Sequence, residues 1–384
     1  MTTTGTGLAR VDVMKPWLGP EEIAAVAEVI ESGWVAQGPR VAAFETAFAS
    51  AMDARSAVAT SSCTTALHLA LVVAGIGPGD DVVVPSFSFV ATANAPTYVG
   101  ARPVFADVDV TSGNVTAETV AAALTPATRA VVAVDQGGVP VDLTPIRELC
   151  DPLGIVVIED AACGAGSTYR GRPVGAGAEI AAWSFHPRKI LTTGEGGMLT
   201  TSRPEWAARA RRLREHAMSV SAADRHASLV SPAEEYEEVG FNFRMTDLQA
   251  AVGLVQLGRL PEIVARRREI AARYREELSD VPGIRLVDDP SWGTSNMQSL
   301  WLEVLPAYGT DREGLLLSLA SAGVSARRGI MAAHLHPAHA GRDHAPLPVT
   351  ERLTAHTLIL PLFHQMTDAD LDRVVDVVRS HGSQ

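Results

Sequence analysis

From about Ala57 to Thr200 the chain repeats one unit. Seven short runs rich in small and β-branched apolar residues, SAVAT, DVVVP, RPVFADV, RAVVAVD, GIVVIED, EIAAWSF and GMLTT, follow one another. Between several of them lie stretches with helical spacing, such as Thr64 to Ala74 and Leu143 to Leu153. Runs that are apolar throughout suit strands covered on both faces, and helices between strands supply the covers. The order therefore predicts an α/β fold with a mostly parallel, mixed sheet flanked by helices. In such sheets, ligands gather at the carboxyl ends of the strands.

Beyond Met245 the pattern changes. DLQAAVGLVQLGRL and PEIVARRREIAARYREEL read as long helices, followed by the turn VPGIR. From about Gly283 the chain reads as a smaller α+β unit that closes with a helix over Asp368 to Arg379. With 384 residues the chain is too long for one small core. It divides into a large domain over 1–260, including the N-terminal segment, and a small C-terminal domain over 261–384. No repeat or low-complexity segment interrupts this order.

A net charge of −12 gives a nucleic-acid backbone little to bind, so local arginines must hold any anionic ligand. No run of eighteen apolar residues occurs, and MTTTGTGLARVDVMKPW lacks the layout of a signal peptide. A cytoplasmic protein with no membrane partner is expected. Cys63, Cys150 and Cys163 form no CxxC pair, and their odd number argues against disulfides.

Lysine is nearly absent. Of 32 Lys plus Arg residues, only Lys15 and Lys189 are lysines. An arginine would serve as well for a solvated charge, but only an amine can form a Schiff base or be desolvated into a base. EIAAWSF leads into SFHPRKILTTGEGGM, which places Lys189 near a strand end. GIVVIED delivers Glu159 and Asp160 to the end of a buried strand, where one carboxylate could pair with a cofactor's ring nitrogen or simply cap a turn. TSSCTTALHLAL runs a hydroxyl-rich loop into a helix, which suits a phosphate as well as an ordinary N-cap. In PSFSFVATANA, Phe87 and Phe89 could cover a ring or pack in a core.

Four stretches, SFHPRKILTTGEGGM, VIEDAACGAG, VPSFSFVATANA and FNFRMTDLQAAVGLVQL, resemble in order and spacing the DegT/DnrJ/EryC1/StrS family of pyridoxal-phosphate aminotransferases, chiefly sugar aminotransferases. WLGPEEIAAVAEVIESGWVAQGPRVAAFE, ARRGIMAAHLHPAH and LILPLFHQMTDADL extend the likeness over nearly the whole chain. The resemblance implies a fold-type I homodimer with active sites shared across its interface. It assigns the Schiff base and the proton shuttle to Lys189, the ring-nitrogen carboxylate to Asp160 and the stacked aromatic to Phe89. The phosphate falls to Cys63, Thr64, Thr65, Ser184 and, from the other subunit, Asn242. The implied reaction moves an amino group from an amino acid, glutamate by family habit, to a keto group on a nucleotide-linked sugar. A cyclitol ketone, a dehydration and a non-catalytic regulatory role are the alternatives.

Two departures stand out. Cys163 occupies a position where the family usually has a glutamine at the cofactor's phenolic oxygen. DQGGVP, from Asp135 to Pro140, replaces the common HLYGxP. Arg188, Arg244, Arg327 and Arg328 are candidates for binding a diphosphate or carboxylate. HLHPAHAGRDH, with His334, His336, His339 and His344, lacks metal-ligand spacing, so no metal is expected, although a histidine such as His334 could face the substrate.

Overall fold

The structure, a computed structural model, describes residues 9–220 and 233–382. The first eight residues of the N-terminal reading lie outside that range. All seven apolar runs become strands. They are β1 (Ser56–Thr60), β2 (Asp81–Pro85), β3 (Arg102–Ala106), β4 (Thr128–Val134) and β5 (Val156–Asp160), then β8 (Ile180–Ser184) and β9 (Gly197–Thr201). Between β5 and β8, the two-residue strands β6 (Thr168–Tyr169) and β7 (Arg172–Pro173) form a hairpin.

The main sheet has the order β1-β9-β8-β5-β4-β2-β3. Only β9 runs against the others. The carboxyl ends of β1, β2, β4, β5 and β8 therefore share one edge, and β9 starts there. Period-two alternation splits each strand between two cores. Val83, Val131 and Val157 face one side, while Val82, Val84, Val132 and Ile158 pack on Leu67 and Leu71 of the helix Cys63–Val73 on the other.

The second sheet, order β10-β12-β14-β13, is antiparallel throughout. It consists of β10 (Ile284–Leu286), β12 (Leu300–Val304), β13 (Arg327–Arg328) and β14 (Thr357–Leu360), while β11 (Gly293–Thr294) joins the β6/β7 hairpin. The closing helix spans Asp368–Gly382. Its Val374 and Val378, with Leu300, Leu302 and Leu358 from the small sheet, belong to the same buried cluster as Val83 and Val131. The two sheets thus share a core. The N-terminal segment is strapped to the C-terminal part, with Val11 bonded to Gly323 and Ser325, and Leu362 bonded to Val13.

The two helices read on either side of Pro261 are one, Asp247–Leu278, 32 residues long. Division after residue 260 falls inside it. Thr246 caps its start by accepting from the Gln249 amide at 3.2 Å. A proline inside a helix costs about 3 kcal/mol through its lost N–H and its ring. The apolar and buried stripe Leu260, Ile263, Ile270, Tyr274 and Leu278 runs on past it. Each such side chain contributes about 1.5–3 kcal/mol on burial, so the stripe outweighs the defect, with Pro261 itself exposed to solvent. Among the described residues, no helix is long and apolar enough to cross a membrane.

Candidate active site

The common strand edge opens on a cavity of about 730 Å³. β5 ends on Asp160, which is buried. Its Oδ2 accepts the Thr92 hydroxyl at 2.8 Å, and its Oδ1 accepts the Ala162 amide at 3.2 Å. Burial pushes this carboxyl above the usual carboxylate range, with the Thr92 hydroxyl and Lys189 pulling the other way. The site is thus a buried acid whose charge a nearby cation would stabilise.

Lys189 follows β8 through a tight turn in which its amide donates to the His186 carbonyl. Its Nζ lies 3.0 Å from Cys163 Sγ. Burial disfavours the ammonium, yet Cys163, Cys63 and Asp160 together hold it above the ordinary lysine value. The free amine is therefore charged at neutral pH. Covalent attachment to a carbonyl needs its neutral form, so these neighbours also set the proton the lysine must shed.

Ser62 caps the helix Cys63–Val73. Its Oγ accepts the Thr65 amide at 3.2 Å, and Thr65 Oγ1 accepts the Ser62 amide at 3.1 Å. Thr65, expected at the phosphate, is thus turned into the cap, whereas Cys63 and Thr64 line the cavity. Gly197 starts β9 against this turn, where a Cβ would come within 2.3 Å of the Ser62 carbonyl carbon. Only glycine allows that approach. Ser184, at the end of β8, lines the same cavity. Burial raises the Cys63 thiol well above its usual range, with Asp160 adding to the rise.

Phe89 lines the cavity while remaining 64% exposed, an uncommon position for a phenyl ring. Phe87, by contrast, is core. Arg188, Arg327 and Arg328 reach the cavity from β13 and the lysine turn. Arg328 is held by Glu313 at 2.6 Å. Arg188 and Arg327 have no carboxylate partner among the described residues, and burial and Arg188 together lower the Arg327 value.

Three expected residues lie elsewhere. His334 is turned into the protein, its Nδ1 2.7 Å from Ser86 Oγ and its ring against His344, so it positions the loop after β2 rather than facing a substrate. Asn242 is exposed and lies outside the cavity of its own chain, on a segment paired with Glu215. Arg244 lines no part of it either.

Thr92 and Gln298 were not read from the sequence. Thr92 is a polar residue on the inner face of the helix Val90–Tyr98, a position at which an unexplained hydroxyl could have been noticed. Gln298 has no local signal at all, since its partners lie about 110 residues earlier. In DQGGVP, Gly138 has φ +93°, and a Cβ on it would lie 2.0 Å from Asn296 Oδ1, but HLYGxP has its glycine at the same place. The departure lies in the three residues before it, of which Gly137, at φ +64°, stands where the tyrosine would, and a Cβ on it would lie 3.5 Å from Ser299.

The mixed sheet, the strand-edge cavity, the buried acid and the half-buried lysine beside it define an aminotransferase of fold type I. Residues 16–379 match the DegT/DnrJ/EryC1/StrS aminotransferase family, and the chain belongs to it. It is 40% identical over 369 residues to the spore coat polysaccharide biosynthesis protein SpsC of Bacillus subtilis, covering 95% of each chain. It is 39% identical over 388 residues to the dTDP-4-dehydro-2,3,6-trideoxy-D-glucose 4-aminotransferase of Saccharopolyspora spinosa, covering 97% of this chain and 98% of that one. Among solved structures, S. venezuelae DesV, crystallised with a ketimine intermediate, superposes with a TM-score of 0.89 at 32% identity, covering 98% of this chain and all of that one.

Proposed function

We propose that this enzyme uses pyridoxal phosphate to move an amino group from an amino acid, glutamate in our reading, to the keto carbon of a nucleotide-linked sugar. The observation that carries this reading is the placement of Lys189 and Asp160 in one cavity that the exposed Phe89 also lines. Asp160 would hold the proton on the ring nitrogen, and Thr92 orients that carboxylate. Held in this way, the cofactor would supply an electron sink for the amino-acid carbon that loses a proton. Lys189 would carry the cofactor between turnovers and move that proton once its amine is released. The amides of Cys63 and Thr64, at the positive end of an eleven-residue helix, and the Ser184 hydroxyl suit the phosphate.

Arg188 and Arg327, without a carboxylate partner among the described residues, supply two guanidiniums at the cavity wall, which suit the substrate's diphosphate. The Saccharopolyspora relative acts, by its name, on a dTDP-linked 4-keto sugar, and the same substrate class is proposed here. We also read the enzyme as a cytoplasmic homodimer, in keeping with its three unpaired cysteines, in which the exposed Asn242 serves the partner's phosphate site. The test is direct. Borohydride should fix the cofactor on the Lys189 peptide, and the purified enzyme should aminate dTDP-4-keto sugars at the expense of glutamate. Label on Lys15, or no amination of any keto-sugar nucleotide, would overturn the assignment.

A further inference from the structure

The lysine turn is gripped from outside. Gln298 Oε1 accepts the Ile190 amide at 2.8 Å, and Gln298 Nε2 donates to the Arg188 carbonyl at 2.7 Å. One side-chain amide therefore holds the chain on both sides of Lys189. The segment that carries Gln298 is itself over-determined. Asn296 Nδ2 donates to the Cys163 and Ala165 carbonyls, both at 2.7 Å, and Asn296 Oδ1 accepts the Gln298 amide at 2.7 Å. The Ser299 amide bonds the Gly137 carbonyl at 3.0 Å.

Met297 between them is buried at φ 56°, a left-handed conformation that a side-chain-bearing residue adopts only under constraint. The constraint is Arg267. This guanidinium is fully buried on the long helix and donates to the Met297, Gln298 and Leu362 carbonyls at 2.7–2.9 Å. Burial lowers its value to about 9, which leaves it charged at neutral pH. A buried cation facing three carbonyls is costly unless the geometry it fixes is needed.

We propose that Gln298 is a positioning residue for Lys189, holding the amine in reach of the reacting carbon through the backbone on either side. It also links the lysine turn to the small sheet, because Gln298 leads directly into β12 and shares Arg267 with the chain after β14. The inference rests on Lys189 as the cofactor-bearing lysine of the proposed function.

Two variants test it. Gln298→Glu keeps the acceptor for Ile190 and loses the donor to Arg188, while Gln298→Leu loses both. A positioning role predicts that kcat falls about ten-fold or more, with KM for glutamate within about two-fold of the parent. The pH midpoint of the bound cofactor's visible band should move by more than about half a unit. A folded Gln298→Leu enzyme with the parent's kcat and midpoint would overturn the proposal. If that variant does not fold, the near-isosteric Gln298→Glu decides by the same readouts. If neither folds, amide exchange at Ile190 in the cofactor-free parent decides: protection equal to that of β8 supports the clamp, and exchange at loop rates defeats it. Borohydride labelling of the parent runs alongside. A parent not labelled at Lys189 counts against the proposed function, whereas a labelled parent with insensitive variants counts against Gln298 alone.

Discussion

Asp160 keeps a carboxylate where burial disfavours charge, with the Thr92 hydroxyl and the Ala162 amide donating to it. Such a residue is useful when a cation completes it. Asp160→Asn is expected to leave the cofactor bound but slow turnover about a thousand-fold, since a neutral ring nitrogen weakens the electron sink. Rapid-mixing kinetics at saturating glutamate would measure this, and near-parent rates would remove Asp160 from the chemistry. Cys163 makes a different prediction. Its sulfur lies 3.0 Å from Lys189 Nζ, where a thiol is a weak hydrogen-bonding group. Cys163→Gln should shift the cofactor's visible band or its pH midpoint, because the amide is a stronger donor in the same place. An unchanged spectral titration would show that the residue does not tune the cofactor.

At the level of elements, β5 shows how one strand serves two ends. Its alternation sends Asp160 towards the cavity and Glu159 to the opposite face. Burial pushes the Glu159 carboxyl up to about 8, with Asp135 buried close by and raised as well. A carboxyl whose value rises on folding contributes stability fully present below its ordinary value of 4.5 and lost as pH climbs through about 8. The melting temperature should therefore decline between about pH 4.5 and pH 8 and level off above that. Glu159→Gln, neutral throughout, should flatten that decline, and an equally steep fall in the variant would exclude Glu159 as its source. The long helix Asp247–Leu278 makes a related point, since its identity is decided by a buried stripe rather than by the local penalty at Pro261.

At the scale of the molecule, the proposed homodimer would account for Asn242, which sits exposed and away from the cavity of its own chain. If it completes the partner's site, Lys189→Ala and Asn242→Ala chains should rescue each other when refolded together. Each mixed dimer would hold one doubly damaged site and one intact site, and random pairing would restore about a quarter of parent activity. Activity assays on mixtures whose hybrid dimers are verified by tagged purification would measure this. No recovery, with Asn242→Ala severely impaired alone, would sink the shared site.

The amino-acid sequence determined what repeats and what is chemically rare. Seven apolar runs with helices between them specify a covered sheet, because only that arrangement buries both faces of each strand, and all seven became strands. Two lysines among 32 basic residues made Lys189 conspicuous. What the sequence did not determine was which distant groups meet. Thr65 and His334 carry the right chemistry, yet a helix cap claims one and Ser86 the other, since each side chain takes the partner that the packed backbone brings within reach. The clamp of Gln298 on the lysine turn joins residues about 110 apart through the main-chain groups of residues 188 and 190. Every residue offers the same N–H and C=O, so no side-chain pattern could announce that contact, and only the tertiary structure decided it.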